Sequence, residues 1–323
     1  MAMRDADALV IDEGVRALIG LAVREDVGRG EAAGDLTVRV AIPETLRGEG
    51  RIVARREGVI CGTVLIGEIL RAYGGGAGDV EFAIETADGQ RAGRGQTAAV
   101  LRGSVGRILT AERVILNFLG HLSGVATATR RYVDLVAGVK TPSGRPALIC
   151  DTRKTTPGFR ALDKYAVRCG GGVNHRMGLY DGVILKDNHL AALREKYGAG
   201  LSLGELTGRI RRELPPEVLV WLEVDTLEQL AEELRGEGKG ADIVIVDNFS
   251  TQMMREAVRM REGGGGRGGA ARRPLLEASG GITEETVAAV AETGVDRISI
   301  GALTHSSGGL DLSMDWGRDK GRP

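Results

Sequence analysis

The sequence predicts an α/β protein in which parallel β/α units close towards a barrel, preceded by a smaller α+β part. Three observations lead there. Beyond residue 140, six apolar runs rich in Val, Ile or Leu recur, "ALICDTRK", "GVILKDNH", "VLVWLEVDT", "DIVIVDNF", "LLEASGG" and "RISIGALTH", each ending in polar residues. Helical patterns lie between most of them, at 158–168, 203–213, 226–235, 251–261 and 283–293, and continuous apolar strands alternating with helices mark a parallel sheet buried on both faces. The first 140 residues instead mix helices with short strands.

The elements follow in order. Ile11, Val15, Leu18, Ile19, Ala22 and Val23 recur at helical spacing, which predicts an amphipathic helix over 12–25 stopped near Gly28. Strands are expected at 51–55 and 58–61, a helix over 64–73 closed by Gly74-Gly75-Gly76, and a strand at 80–85 from the alternating "VEFAIE". From Ser104 to Gly120 the pattern is helical again, with Ala111, Ile115, Phe118, Leu119 and Leu122 on one face. Arg113, Asn117 and His121 follow at i, i+4 and i+8, so their side chains line up in a polar row. Such a row is ordinarily a solvated face. Late in the chain, "GGGGRGGAARR" at 263–273 interrupts the β/α units. It has no aromatics to stack bases, so it reads as a surface loop and not as an RNA-binding segment.

Composition narrows the function. A chain of 323 residues that is 42% hydrophobic can bury a large core, as one large domain or two medium ones. Lys+Arg 43 against Asp+Glu 44 gives a net charge of -1, so no global field attracts nucleic acid or an anionic membrane, and any anion site must be local. Cys61, Cys150 and Cys169 have no metal-like spacing, and their odd number argues for reduced thiols. The start, "MAMRDADALVIDEG", has no basic segment followed by an apolar stretch, and no run approaches the roughly 18 apolar residues of a membrane span. The expected location is the cytoplasm.

In a parallel β/α barrel the strand C-termini meet at one rim, where chemistry sits. Those ends carry Thr152, Arg153 and Lys154; then His175 and Arg176 in the loop "GGGVNHRMG"; then Lys186, Asp187, Asn188 and His189. Acids follow, Glu223 with Asp225 and Asp247 with Asn248. Ser279-Gly280-Gly281 and Gly301-Ala302 end the last two strands, where glycines let backbone N–H groups approach a phosphate. Singly, an Arg-Lys pair is a solvated surface, a His a structural hydrogen-bonder and a Gly-Gly a turn. Their joint placement at successive strand ends makes them one pocket with a basic arc, an acidic arc and a phosphate cradle. The cations suit a small dianion held by Arg forks, with Lys as point charges for a pyrophosphate. Acids beside them suit Mg²⁺ between phosphates or hydroxyls, or a carbon that turns positive, as a sugar anomeric carbon does on losing pyrophosphate. The residues therefore fit phosphoribosyl transfer to an acidic acceptor.

The stretch "DTRKTTPGFRALDKYAVRCGGGVNHRMGLYDGVILKDNHL" (151–190) resembles the central signature of the quinolinate phosphoribosyltransferase family, the carboxylating nicotinate-nucleotide pyrophosphorylases. "LTAERVILNFLGHLSG" (109–124), "LEVDT" (222–226), "VDNFS" (246–250), "EASGGI" (277–282) and "SIGALTH" (299–305) match in order, and "EDVGRGEAAGDLT" resembles the family's N-terminal motif, lengthened by a few residues. The resemblance implies an N-terminal α/β sandwich over 1–115 joined by the C-terminal tail 306–323, and an incomplete TIM-like α/β barrel over 116–305 that carries the site. It implies that Thr152, Arg153, His175, Arg176 and Lys186 surround the two carboxylates of quinolinate, and that Lys154 and Lys186 meet the diphosphate of phosphoribosyl pyrophosphate. Glu223 and Asp247 would sit by the ribose hydroxyls and Mg²⁺, directly or through water or substrate, while Ser279, Gly280, Gly281, Gly301 and His305 hold the 5′-phosphate. In the homodimer that the family implies, Arg113 would cross into the partner's site. The implied reaction is a decarboxylating pentosyl transfer in de novo NAD biosynthesis.

Three other readings compete. Paralogues associated with molybdate transport share the fold, but the full set of basic residues argues against a changed acceptor. A sugar-phosphate isomerase or aldolase would want a Schiff-base Lys, for which Lys154 or Lys186 could serve, and would leave the Arg sites surplus. A non-catalytic phosphate sensor would not need the acids facing the cations.

Overall fold

The computed structural model describes residues 8–29, 34–74, 79–139, 141, 144–198, 200–236, 240–263 and 273–317. In chain order the elements are α1 (Glu13–Val27), α2 (Leu36–Ala41), β1 (Arg47–Ala54), β2 (Gly58–Val59), α3 (Ile66–Ala72), β3 (Val80–Ile84), β4 (Arg91–Ala92), β5 (Thr97–Ser104), α4 (Val105–Ala137), β6 (Leu148–Cys150), α5 (Arg160–Cys169), β7 (Gly182–Leu185), α6 (Asp187–Tyr197), α7 (Leu203–Arg212), β8 (Leu219–Val224), α8 (Leu227–Leu234), β9 (Ile243–Asp247), α9 (Thr251–Gly263), β10 (Leu275–Ser279), α10 (Val287–Ala291), β11 (Arg297–Ser299), α11 (Ala302–His305) and β12 (Leu312–Trp316). They fall into two compact units. The first takes the chain up to Arg130, Thr155–Gly171 and the segment from Ala302 onwards; the second takes Arg131–Lys154 and Gly172–Gly301.

The first unit is built on an antiparallel sheet in the order β12-β1-β5-β3. Its α1 forms as the periodicity predicts: the Asp12 carboxylate accepts from Val15 N–H at 2.9 Å, Val15, Ile19 and Val23 are buried, and Gly28, at φ 75°, ends it. The C-terminal segment returns as β12 and pairs with β1, Gly50 to Trp316 through Ala54 to Leu312. Several elements of this unit escape the periodicity, α2 and β5 among them. Short α2 is started by Asp35, whose carboxylate accepts from Val38 N–H at 2.9 Å. Strand β5, "TAAVLRGS", lies between β1 and β3 with most of its residues buried.

Helix α4 corrects the sequence reading most. It does not stop at Gly120 but runs on to Ala137. Gly120 and Gly124 are points of close approach and not stops: Leu310 N–H donates to Gly120 O at 2.8 Å, and a Cβ on Gly124 would come within 2.2 Å of Gly308 O. In the same unit α5 is held by Asp163, which is fully buried and bonded to His121 Nε2 at 2.7 Å.

The second unit is a six-stranded, all-parallel sheet in the order β6-β11-β10-β9-β8-β7. Strands β6 and β7 are consecutive in the chain yet form the two edges, so the barrel is incomplete between them. Val173 borders the β6 side of this gap, donating to Ile149 O at 2.8 Å and accepting from Asp151 N–H at 3.2 Å. Strands β8 and β9 are buried on both faces, and Trp221, Ile243 and Ile245 pack together with Ile184. Helix α6, directly after Lys186, was not anticipated, and the helix expected at 283–293 is only Val287–Ala291. Most of the 263–273 insertion lies outside the described residues. Among those residues no helix is long and apolar enough to cross a membrane.

Candidate active site

The second unit gathers most of the predicted residues at its strand C-termini. After β6, Asp151 is fully buried and accepts from His175 N–H at 2.8 Å and from Asn174 Nδ2 at 2.6 Å, so it ties the 174–175 segment to the strand end. The Thr152 hydroxyl accepts from Lys154 N–H at 3.0 Å and closes a turn that carries exposed Arg153 and Lys154. Asp181 accepts from Met177 N–H at 2.6 Å and Gly178 N–H at 2.8 Å, shaping the loop that holds Arg176. Arg176 donates from Nη1 to Gly182 O at 2.8 Å, while its buried Nε–H has no acceptor among the described residues. Its pKa lies below the ordinary guanidinium value, first because burial disfavours the charge and then because Arg153 repels it, with Asp181 working the other way. Two guanidinium groups held near each other, one of them desolvated, call for an anion.

His175 is buried beside them, its ring stacked on Trp221 with centroids 4.5 Å apart. Lys186 follows β7, its backbone N–H donating to His189 Nδ1 at 3.2 Å. Its ammonium is hydrogen-bonded to Glu223 Oε2, so the basic and acidic arcs are in direct contact. Asp247 ends β9 in register with Ser279, and its Oδ2 accepts from Asn248 Nδ2 at 2.7 Å. Asn248 is left-handed at φ 55° and donates its N–H to Ser279 O at 2.9 Å. Gly280 then turns at φ 96°, where a Cβ would come within 2.1 Å of Asn248 Oδ1; beside it Gly281, also left-handed, has open space around its Cα. A glycine turn without side chains leaves room for an anion to approach the backbone N–H groups. Gly301 follows β11 in the same unit.

Two family models match the chain: "Quinolinate phosphoribosyl transferase, N-terminal domain" over residues 35–123 and "Quinolinate phosphoribosyl transferase, C-terminal domain" over 125–315. The chain belongs to the quinolinate phosphoribosyltransferase family. Among curated relatives, it is 39% identical to the nicotinate-nucleotide pyrophosphorylase [carboxylating] of Mycobacterium leprae over 94% of this chain and 97% of that one. It is 38% identical to a probable enzyme of the same name from Bacillus subtilis, over 90% of this chain and 89% of the relative. The solved nicotinate-nucleotide pyrophosphorylase from Francisella tularensis superimposes with a TM-score of 0.81 at 32% identity, covering 98% of this chain and all of the other.

For a quinolinate phosphoribosyltransferase, two predicted residues belong to the first unit. Arg113 is exposed on α4 together with Asn117, while the third member of the polar row, His121, is engaged by Asp163. His305 ends α11, its Nδ1 2.6 Å from Ser306 Oγ. The first unit also holds a cluster that sequence spacing could not reveal: Cys61, Asp88 and Cys169 have side-chain ligand atoms within 4.8 Å of one another. It does not suit a metal ion. Asp88 already accepts from Gly62 N–H, Thr63 N–H, Thr63 Oγ1 and Tyr165 OH, which fills the four lone-pair directions of a carboxylate. Sequence reasoning also missed Asp151, Trp221, Glu277 and Arg297. The available signal was a charge within or at the head of an apolar run, Glu277 inside "LLEASGG" and Arg297 opening "RISIGALTH".

Proposed function

We propose that this chain transfers the phosphoribosyl group of phosphoribosyl pyrophosphate to quinolinate, giving nicotinate mononucleotide, pyrophosphate and CO2. The observation that carries the reading is the Arg153–Arg176 pair, with its partly desolvated guanidinium and an N–H lacking an acceptor. A pyridine bearing two adjacent carboxylates is the ligand such a pair suits, and the carboxylating relatives over nearly the full chain support the same acceptor.

Arg153, Arg176, Thr152, His175 and Lys186 surround the acceptor's carboxylates, Lys154 and Lys186 meet the diphosphate, and Ser279, Gly280, Gly281 and Gly301 cradle the 5′-phosphate. The role of His305 at that phosphate rests on the resemblance alone. The ring nitrogen attacks the anomeric carbon as pyrophosphate departs, and the sugar passes through an oxocarbenium-like state that Glu223 and Asp247 stabilise electrostatically. The N-ribosylated ring is a pyridinium; it accepts the electron pair left when the adjacent carboxylate departs as CO2, and a proton takes its place. Glu223 and Asp247 also fit a magnesium ion. Each has one oxygen already engaged, Oε2 by Lys186 and Oδ2 by Asn248, and the other without a hydrogen bond among the described residues. One or two carboxylates plus substrate oxygens is a usual Mg²⁺ environment. Bound there, the ion would neutralise charge on the departing pyrophosphate. The chain works as a homodimer in which Arg113 reaches the partner's site.

The test is to mix the purified protein with Mg²⁺, phosphoribosyl pyrophosphate and either quinolinate, nicotinate or nicotinamide, and to follow product by absorbance. Turnover is expected with quinolinate alone and is lost on chelation of Mg²⁺. Turnover of nicotinate at a comparable rate, or none with quinolinate, would refute the reading; covalent trapping of a sugar phosphate by borohydride would replace it with a Schiff-base enzyme.

A further inference from the structure

Glu277 lies inside β10, fully buried between apolar Leu276 and Ala278, and the chemistry above makes no use of it. Its Oε2 accepts from Arg297 Nε at 2.7 Å, across a register pair of β10 and β11. Its Oε1 accepts no hydrogen bond among the described residues and faces His175 Nε2 at 3.5 Å, just beyond hydrogen-bond reach. The His175 ring is otherwise well fixed. It stacks on Trp221 at 27° between planes, and its Nδ1 accepts from the backbone N–H of Arg176 at 2.8 Å. A ring nitrogen that accepts from an amide carries no proton, so the neutral imidazole keeps its hydrogen on Nε2, on the side of Glu277.

We propose that Glu277 is a positioning residue that holds His175 as the Nε2–H tautomer and thereby holds Arg176 for the acceptor's carboxylates. The chain of contacts is short. With its Oε2 anchored by Arg297, Glu277 turns Oε1, an acceptor, towards His175. The tautomer it favours leaves Nδ1 bare, and bare Nδ1 takes the Arg176 N–H. The opposite tautomer would set two donors against each other at that amide and displace the residue that carries the guanidinium. This inference rests on Arg176 serving the acceptor.

The experiment compares wild type with Glu277→Gln. The amide oxygen of Gln is held by Arg297, which turns its NH2 group towards His175 Nε2, so donor meets donor and the ring moves its proton to Nδ1. Histidine ¹⁵N shifts report this directly, with the His175 signals assigned from a His175→Asn spectrum. The expected results are the Nε2–H form in wild type and the Nδ1–H form in the variant. The KM for quinolinate should rise about tenfold, the equivalent of one hydrogen bond, with that for phosphoribosyl pyrophosphate within about twofold. An Nδ1–H ring in wild type, or an unchanged tautomer in the variant, would overturn the proposal; so would a switched tautomer with an unchanged quinolinate KM. Because Gln beside half-buried Arg297 can prevent folding, the double variant Glu277→Leu/Arg297→Met replaces the pair with apolar side chains. Folded by circular dichroism, it should show mixed tautomers and a raised quinolinate KM; a folded double variant with wild-type KM contradicts the idea. The spectra need no substrate. Failure of the acceptor reading would appear separately, as quinolinate turnover that is indifferent to Arg176→Ala.

Discussion

On the proposed mechanism Glu223 has two jobs: its carboxylate is bonded to the Lys186 ammonium, and it would face the sugar cation during transfer. Replacing it with Gln removes the charge and keeps the shape. Steady-state kinetics should show kcat reduced by about 10²–10³, the usual cost of losing one preorganised electrostatic contact, with the KM for quinolinate changed by no more than about threefold. A proportional rise in KM with kcat intact would make Glu223 a ground-state binder instead. At this scale the sequence was informative where a polar residue ends an apolar run, as Arg153, Lys186, Glu223 and Asp247 all do. It was silent on Asp151 and Glu277, whose partners His175, Asn174 and Arg297 are distant in the chain and whose importance lies in which atom each presents.

Among the elements, α7 and α8 are pinned together by one carboxylate. Glu233 accepts from Thr207 Oγ1 at 2.8 Å and from Ala241 N–H at 2.7 Å. Burial raises its pKa above the usual glutamate range, although both hydrogen bonds favour the charged form. An acid whose folded pKa is raised binds more protons folded than unfolded, so stability falls as pH climbs from the ordinary value of about 4.3 through the raised one. Glu233→Gln keeps an oxygen for Ala241 and removes the charge. Thermal unfolding should therefore give a higher Tm than wild type at neutral pH, with the gain vanishing as pH falls to about 4; a gain of equal size at both ends would show that the carboxylate is not the cause. Element types were largely legible, because α1 and the six parallel strands follow their hydrophobic periods. The misses have physical causes. Gly120, where the sequence reading ends the helix, serves with Gly124 a close backbone approach inside α4, and β5 lies beside a helix start without the strict alternation that marks β3.

At the scale of the whole chain, a net charge of -1 means that binding two multiply anionic substrates is a matter of local placement. The parallel sheet supplies it: its strands bring Arg153, Lys186, Glu223, Asp247 and the Gly280-Gly281 turn to their C-terminal ends, and the loop before β7 adds Arg176. Alternation of apolar runs and helices predicted that architecture, and the long signature at 151–190 predicted its chemistry. Neither could reveal that α5 groups with the first unit, since that depends on contacts such as Tyr165 OH with Asp88, 2.8 Å apart across 77 residues of sequence. Calorimetric titration of quinolinate and nicotinate into wild type and Arg153→Ala bears most directly on the claim that paired guanidinium groups select a dicarboxylate. Wild type should bind quinolinate at least about thirtyfold more tightly than nicotinate, the equivalent of about 2 kcal/mol, and Arg153→Ala should lose at least that much on quinolinate, bringing it down to the level of nicotinate. Equal binding of the two acids by wild type, or quinolinate affinity untouched by the substitution, would contradict the account.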